Sequence, residues 1–308
     1  MIFTYNTIDD KLICCTDICK GCWINLINPT EPEIQQVVRE TGLDYDFLKY
    51  PLDDEEIPRV EVEDEQIMII FNIPTIEDSD IIYDTIPLGI ILNDNYIVTV
   101  CLKDANLMQE ITSSRTKDVA TFKKTRFIFQ LLHKKTTLFL KYLRDIHKHN
   151  NETEIALHKS MTNKHLIHLF NMQKSLVYFS TGLRSNAKVM ERLLRSKALK
   201  MYEEDEDILE DVIIENRQAV EMADIYSNIA AAHMDAFASL VSNNLNIVMR
   251  FLTAITIVLS IPTMIASFWG MNVPVPLTAN PWGFIIIIIV SVILCLAFTR
   301  LLIRKKIL

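Results

Sequence analysis

The chain is short of helix-breaking residues over its central part. It has only 6 glycines in 308 residues, and between residues 106 and 261 it contains one glycine, Gly182, and no proline. A stretch of that length without breakers is typical of helices. We predict one helix over residues 123–148, a second over 154–200, and a third that begins near Glu203.

Charged side chains are missing from two later stretches. Residues 251–269 contain none, and a helix of that length measures about 28 Å, close to the ~30 Å hydrocarbon core of a bilayer. Residues 282–298 form a second apolar run of about 26 Å, with Trp282 placed to lie at the membrane interface. The sequence therefore predicts two transmembrane helices in a lipid bilayer.

The residues around these spans predict the topology. A basic tail, Arg304, Lys305 and Lys306, follows the second span, and the positive-inside rule places such a tail in the cytoplasm. Residues 1–10 lack the basic segment and apolar core of a signal peptide. With two crossings, we expect the N-terminal domain to be cytoplasmic too, on a protein of the plasma membrane.

The N-terminal part is predicted to be an α/β domain. A helix is capped by Thr30 and runs to about Thr41. Strand-like segments are predicted at 13–15, 22–26, 59–64, 66–73, 83–92 and 96–100, with a turn at 93–95. The chain contains no glycine-rich phosphate loop and no grouping of nucleophile and base, so an enzyme is the least favoured class. Residues 31–80 hold 16 acidic and 3 basic side chains, which argues against nucleic acid and suits cations.

Four of the six cysteines lie close together near the N-terminus. Cys15, Cys19 and Cys22 would put three thiolates in one loop, which is one possible metal or cluster site, with Cys14 beside it. The alternative is that they are reduced thiols that act as small hydrophobic residues, as buried cytosolic cysteines commonly do. The sequence favours the second interpretation because no further ligand set follows.

The third helix is predicted to connect the soluble part to the membrane. It keeps an apolar face at helical spacing up to the membrane run, and if it is continuous from 203 to 268 it measures about 100 Å. We interpret it as a stalk. The predicted segments are the α/β domain at 1–122, a helical hairpin at 123–202, the stalk and first span at 203–269, an extracytoplasmic loop at 270–281, the second span at 282–303 and the basic tail at 304–308.

Small and polar residues recur along the first span at steps of three and four. This stripe is formed by Asn246, Met249, Thr253, Thr256, Ser260, Thr263, Ser267 and Gly270. Hydroxyl groups gain nothing by facing acyl chains, so the stripe should face either neighbouring helices or water. Helix packing and a pore lining both fit this spacing. Two helices cannot enclose a water path, so a pore would require several copies around an axis.

The end of the first span carries a family resemblance. Gly270, Met271 and Asn272 directly after that span, followed by a second span and a basic tail, resemble the CorA family of divalent metal ion transporters. Residues 28–30, 58–62 and 249–253 also look like family segments. The resemblance implies a homopentamer in which five stalk helices continue into the membrane as the pore, the second helices form an outer ring, and the α/β domains form a cytosolic funnel.

The resemblance also implies roles for individual residues. Gly270, Met271 and Asn272 match the outer mouth, where an asparagine ring is taken to bind a still-hydrated ion. Asn246, Met249 and Leu252 match an inner polar ring and a hydrophobic constriction. These assignments would make the stripe the pore lining.

A regulatory cation site is implied as well. Asp211 falls where the family has a stalk aspartate that shares a cation with an acidic residue of the next protomer, and Asn106 aligns with the partner position, with Asp104 two residues away. Two positions depart from the family pattern. Trp269 replaces the usual tyrosine, and residues 273–281 contain no carboxylate.

The resemblance implies passive influx of Mg²⁺, with Co²⁺ or Ni²⁺ also possible, closed by cytosolic Mg²⁺ bound between protomers. Two alternatives remain open. One is the zinc-transporting branch of the same fold, for which Zn²⁺ would be the ion. The other is a membrane-anchored cation sensor that does not conduct.

Overall fold

The computed structural model describes residues 1–8, 11–77, 82–104, 106–112, 121–159, 163–196, 198–272 and 281–305. The chain divides into two units, Met1–Met234 and Asp235–Leu308. The strands are β1 Ile2–Ile8, β2 Lys11–Cys15, β3 Trp23–Ile27, β4 Val60–Glu63, β5 Gln66–Glu77, β6 Ile82–Leu92 and β7 Ile97–Cys101. The α-helices are α1 Glu31–Thr41, α2 Tyr45–Lys49, α3 Asn106–Thr112, α4 Lys124–Lys159, α5 Asn163–Arg195, α6 Glu203–Trp269 and α7 Gly283–Arg304, and a 3₁₀ turn covers Tyr50–Leu52.

The strands form one sheet in the order β2-β1-β3-β7-β6-β5-β4. Only β3 and β7 run parallel, and the other neighbours are antiparallel. Successive side chains of a strand point to opposite faces, so Trp23 packs in one layer of the core and Ile24 in the other. The helices α1 and α2 cover the Ile24 face, whereas α3, α4, α5 and the first part of α6 cover the Trp23 face.

The helical part differs from the prediction at two boundaries, of which one is the C-terminal end of α5, at Arg195 instead of residue 200. The break expected near residues 149–153 is absent, because α4 continues to Lys159 and α5 begins only at Asn163. Asn150 is 3% exposed, and the Thr153 hydroxyl donates to the carbonyl oxygen of His149 one turn earlier. Asparagine and threonine have weak helix propensity, so the continuous helix shows that tertiary packing overrides local propensity at this point.

The helix α5 lies very close to the sheet. A Cβ atom on Gly182 would be 3.2 Å from the Thr85 side chain, so the only glycine of the central region marks a close approach rather than a break. One turn later, Asn186 is fully buried; its side chain accepts from the Asn72 N–H and donates to the Asn72 C=O, both at 2.8 Å. Strand β4 pairs with β5 only as far as Ile69, so the Asn186 amide replaces a missing strand partner.

The second unit consists of the remainder of α6 and of α7. Both helices contain a stretch long and apolar enough to cross a membrane. The predicted fold class, an α/β domain followed by a long helix and two apolar C-terminal helices, is confirmed.

Candidate functional site

The helix α7 packs against one side of α6. Ala254 is 1% exposed on that side, and the Cys295 thiol of α7 donates to the carbonyl oxygen of Val258 at 3.5 Å. Pro262 lies four residues after Val258 and has no N–H, so this carbonyl lacks its usual helical donor. In a membrane span such a group must be satisfied inside the protein. The thiol therefore compensates for the proline and fixes which side of α6 faces α7.

The polar stripe lies on the other side of α6. At 100° per residue, the mean direction of the stripe is about 180° away from the mean direction of Ala254, Val258 and Pro262. All predicted members of the stripe are exposed in the single chain, and so is Leu252 of the predicted constriction; the stripe members are Asn246, Met249, Thr253, Thr256, Ser260, Thr263, Ser267 and Gly270. Between Asn246 and Thr263, one continuous face about 26 Å long is thus left uncovered by α7.

The hydroxyl groups on this face are bonded along their own helix. Thr253 donates to the Met249 carbonyl oxygen at 2.7 Å and Thr256 to that of Leu252 at 2.8 Å. Ser260 and Thr263 make similar bonds to carbonyls of the preceding turn. Each hydroxyl hydrogen is therefore used, and the oxygen lone pairs remain available to water or to the hydration shell of a cation.

The three-residue motif lies where α6 stops. The helix ends at Trp269, and Gly270 still donates its N–H to the Ala266 carbonyl oxygen at 2.9 Å. Met271 is 53% exposed, and Asn272 is also exposed. The predicted extracytoplasmic loop continues through residues 273–280, which lie outside the described part of the chain.

The predicted regulatory residues all lie in the first unit. Asp211 is on an exposed turn of α6, and Asp104 accepts a hydrogen bond from the Gln109 amide at 3.0 Å. Asn106 opens α3 and donates to the Tyr142 hydroxyl at 2.6 Å, so its amide nitrogen is already engaged. The described residues of one chain contain no group of three or more His, Cys, Asp or Glu side chains that could hold a metal ion. Cys15, Cys19 and Cys22 are all among the described residues, so they do not form such a group either.

The basic tail begins inside α7. Arg304 is the last residue of that helix, and the N–H of Lys305 donates to the Leu301 carbonyl oxygen at 3.0 Å. Lys306 lies outside the described residues. The two described tail residues are exposed, as expected for side chains that contact water or lipid headgroups.

One element of the site was missed from the sequence. The contact between Cys295 and the Val258 carbonyl decides which face of α6 stays open, yet neither residue was a candidate. Pro262 was the available signal, because a proline inside a span frees the carbonyl four residues earlier.

The chain consists of an α/β domain, a long helix α6 whose C-terminal part is an apolar span with an uncovered polar face, and a second apolar span, α7. This arrangement defines a two-span membrane protein with a large N-terminal domain. Comparison with known sequences places the chain within a family. Residues 20–305 match the CorA-like Mg²⁺ transporter proteins, and the chain belongs to that family.

Individual relatives agree with this placement. The chain is 26% identical over 281 residues to the cobalt/magnesium transport protein CorA of Methanocaldococcus jannaschii, covering 90% of this chain and 88% of the relative. It is similar in fold to the complete structure of the CorA magnesium transporter from that organism, with a TM-score of 0.84, 23% identity and coverage of 99% and 98% of the two chains. The cytoplasmic domain of ZntB from Vibrio parahaemolyticus covers 78% of this chain, with a TM-score of 0.60, 14% identity and 98% of its own length matched.

Proposed function

We propose that this protein conducts Mg²⁺ into the cell down its electrochemical gradient, with Co²⁺ and Ni²⁺ as further ions. The observation that carries the proposal is the polar face of α6, which lies opposite the α7 contact and leads to Asn272. The family of transporters to which the chain belongs supports the same activity.

The uncovered face supports the homopentameric assembly that we propose. A single copy exposes hydroxyl oxygens and Asn246 along about 26 Å of a helix that crosses the membrane. Five copies around an axis would turn these faces toward a common water path and leave the α7 helices outside. The N-terminal domains and the basic tail would then lie in the cytoplasm, below the plasma membrane.

Selection would take place at the outer mouth. Mg²⁺ gives up its water reluctantly, so a ring of Asn272 amide oxygens can bind it through its hydration shell. Gly270 has Ala266 carbonyl oxygen 3.3 Å from the position of a Cβ atom, so a larger residue would crowd the turn that presents Asn272. At the inner end, rings of Met249 and Leu252 would form a constriction that closes by excluding water.

Gating would depend on a cation bound between protomers. Asp211 is exposed on α6, and the exposed Asp104 and Asn106 lie at the start of α3. Carboxylate and amide oxygens are suitable Mg²⁺ ligands. Cytosolic Mg²⁺ held between Asp211 of one copy and the Asp104 region of the next would fix adjacent stalks and keep the pore shut.

Uptake of Mg²⁺ into liposomes that contain the purified protein tests the proposal. We expect Asn272→Ala to reduce Mg²⁺ flux strongly, whereas Asn243→Ala, an exposed asparagine of α6 away from the polar face, should conduct like the parent chain. Equal flux through the Asn272→Ala variant would remove the selector role. A pentamer that passes no divalent ion would favour the non-conducting cation sensor.

The likeness to the ZntB cytoplasmic domain makes a Zn²⁺-conducting protein the second candidate. Competition decides between the two. If Mg²⁺ is the ion, excess Mg²⁺ should suppress Zn²⁺ entry, and Zn²⁺ flux that persists in excess Mg²⁺ would favour the zinc branch.

A further inference from the structure

The turn between β2 and β3 brings two thiols together. The N–H of Cys22 donates to the Cys19 carbonyl oxygen at 3.1 Å, which closes a β-turn with Lys20 and Gly21 at its centre. Gly21 has φ of +82°, a value that a type II turn requires at its third residue and that glycine adopts without strain. The turn is also held from outside, because the Gly21 N–H donates to the Asn95 carbonyl oxygen at 2.8 Å.

This geometry suits a disulfide. The ends of a β-turn lie within about 7 Å of each other between Cα atoms, and disulfides join Cα atoms about 4.4–6.8 Å apart. The Cys19 side chain packs against the core cluster that contains Cys22, so both thiols lie on the same side of the turn. Both thiols are free in the structure.

We propose that Cys19 and Cys22 form a reversible intramolecular disulfide when the protein meets a hydroperoxide. This modification site is independent of the ion pathway, since both residues lie in the first unit and outside the proposed pore and sensor.

The two thiols differ in a way that fixes the order of events. Cys22 is completely buried, and burial raises its pKa to about 11, so it stays protonated at neutral pH. Cys19 is only half-buried and also contacts the Asn6 amide, whose nitrogen is 3.7 Å from the Cys19 sulfur. Because an oxidant reaches Cys19 more easily, Cys19 is the residue attacked first and Cys22 is the resolving thiol.

The reaction balances with one peroxide. The Cys19 thiolate attacks one oxygen of the hydroperoxide, the O–O bond breaks, and hydroxide leaves to become water, so that Cys19 is oxidised to a sulfenic acid. The Cys22 sulfur then attacks the Cys19 sulfur, the S–O bond breaks, and the second oxygen leaves as water with the Cys22 proton. With hydrogen peroxide, two thiols become one disulfide and the peroxide becomes two waters.

Peptide mapping of the full-length protein tests this. The reduced protein in detergent is treated with hydrogen peroxide, its remaining thiols are blocked with N-ethylmaleimide, and the monomer band of a non-reducing gel is digested with trypsin. Cleavage after Lys11, Lys20 and Arg39 separates residues 12–20 from residues 21–39, so the two peptides stay joined only through a disulfide of Cys22.

We expect the joined peptide in the parent chain and its disappearance after treatment with dithiothreitol. It should be lost in Cys19→Ser and kept in Cys14→Ser and Cys15→Ser, which are matched controls on the same peptide. Cys101 is equally buried, but it ends strand β7 and no other cysteine lies in that strand, so maleimide should label it once the oxidised protein is unfolded. The blocking step is carried out on unfolded protein, because Cys22 is completely buried. A joined peptide that persists in Cys19→Ser, or Cys22 recovered as its maleimide adduct in the oxidised parent chain, would overturn the proposal.

Discussion

Lys135 is a lysine in the middle of the core, and replacing it should stabilise the protein. Its side chain is 1% exposed, its ammonium nitrogen has no hydrogen-bond partner among the described residues, and it lies 5.1 Å from the centre of the Phe71 ring. Burial lowers the pKa of Lys135 from 10.5 to about 7. We predict that Lys135→Met raises the free energy of unfolding at neutral pH.

The magnitude follows from the pKa. Each pKa unit corresponds to about 1.4 kcal/mol, so a fall from 10.5 to about 7 corresponds to a gain of about 3–5 kcal/mol for the methionine variant at or below neutral pH. The sign follows from proton binding. Between about pH 7 and 10.5 the unfolded chain holds a proton that the folded chain has released, so the stability of the parent protein rises with pH in that window. Below about pH 7, Lys135 is protonated in both the folded and the unfolded chain, so its destabilising effect on the folded state no longer changes with pH.

Urea unfolding of the full chain in detergent at several pH values measures this effect. The fluorescence of Trp23 reports on the relevant layer, because its ring contacts Phe127 of α4. Lys141→Met, an exposed position of the same helix, is the control and should leave stability nearly unchanged. The reasoning is refuted if Lys135→Met is no more stable than the parent at pH 7, or if the two stability curves run parallel from pH 7 to pH 10.

Two further variants test the packing and the gating. Asn186→Ala leaves the N–H and C=O of Asn72 unpaired, so the free energy of unfolding measured in urea should fall by about 2–4 kcal/mol. Asn151→Ala, at an exposed position, is the control and should change it little. A loss below 0.5 kcal/mol, on the order of an ordinary surface change, would mean that water replaces the amide. Asp211→Ala should retain Mg²⁺ flux when internal Mg²⁺ is high, and full inhibition of that variant would contradict the sensor assignment.

Much of this architecture could be predicted because it depends on periodicity. The apolar run and the polar stripe of α6 repeat at helical spacing, and β5 and β6 carry the β-branched residues typical of strands. The turn before β7 was also correct, since the Asn93 side chain accepts from the N–H groups of Asn95 and Tyr96. Local sequence determines these features, so they can be predicted without knowing which distant residues they contact.

The features that were missed depend on contacts between distant residues. Strand β1 was not predicted, although Ile2–Ile8 is rich in β-branched and aromatic side chains, because its place between β2 and β3 is set by pairing. Asn186 lies in an ordinary helical pattern. Its role as a hydrogen-bond partner of Asn72 follows from the sheet, because β5 extends beyond its pairing with β4. The same holds for Cys295, whose partner is the carbonyl freed by Pro262 on another helix.

Thiol accessibility within the first span tests the central claim that the polar face of α6 borders a water path. Thr256→Cys lies on that face, and Ile261→Cys lies well away from it and is half-buried. A membrane-impermeant, positively charged methanethiosulfonate reagent is added to liposomes at low internal Mg²⁺, and Mg²⁺ flux is measured. We predict that the reagent blocks Thr256→Cys but neither Ile261→Cys nor the parent chain. Unchanged flux through a Thr256→Cys protein whose thiol stays unmodified would contradict the account.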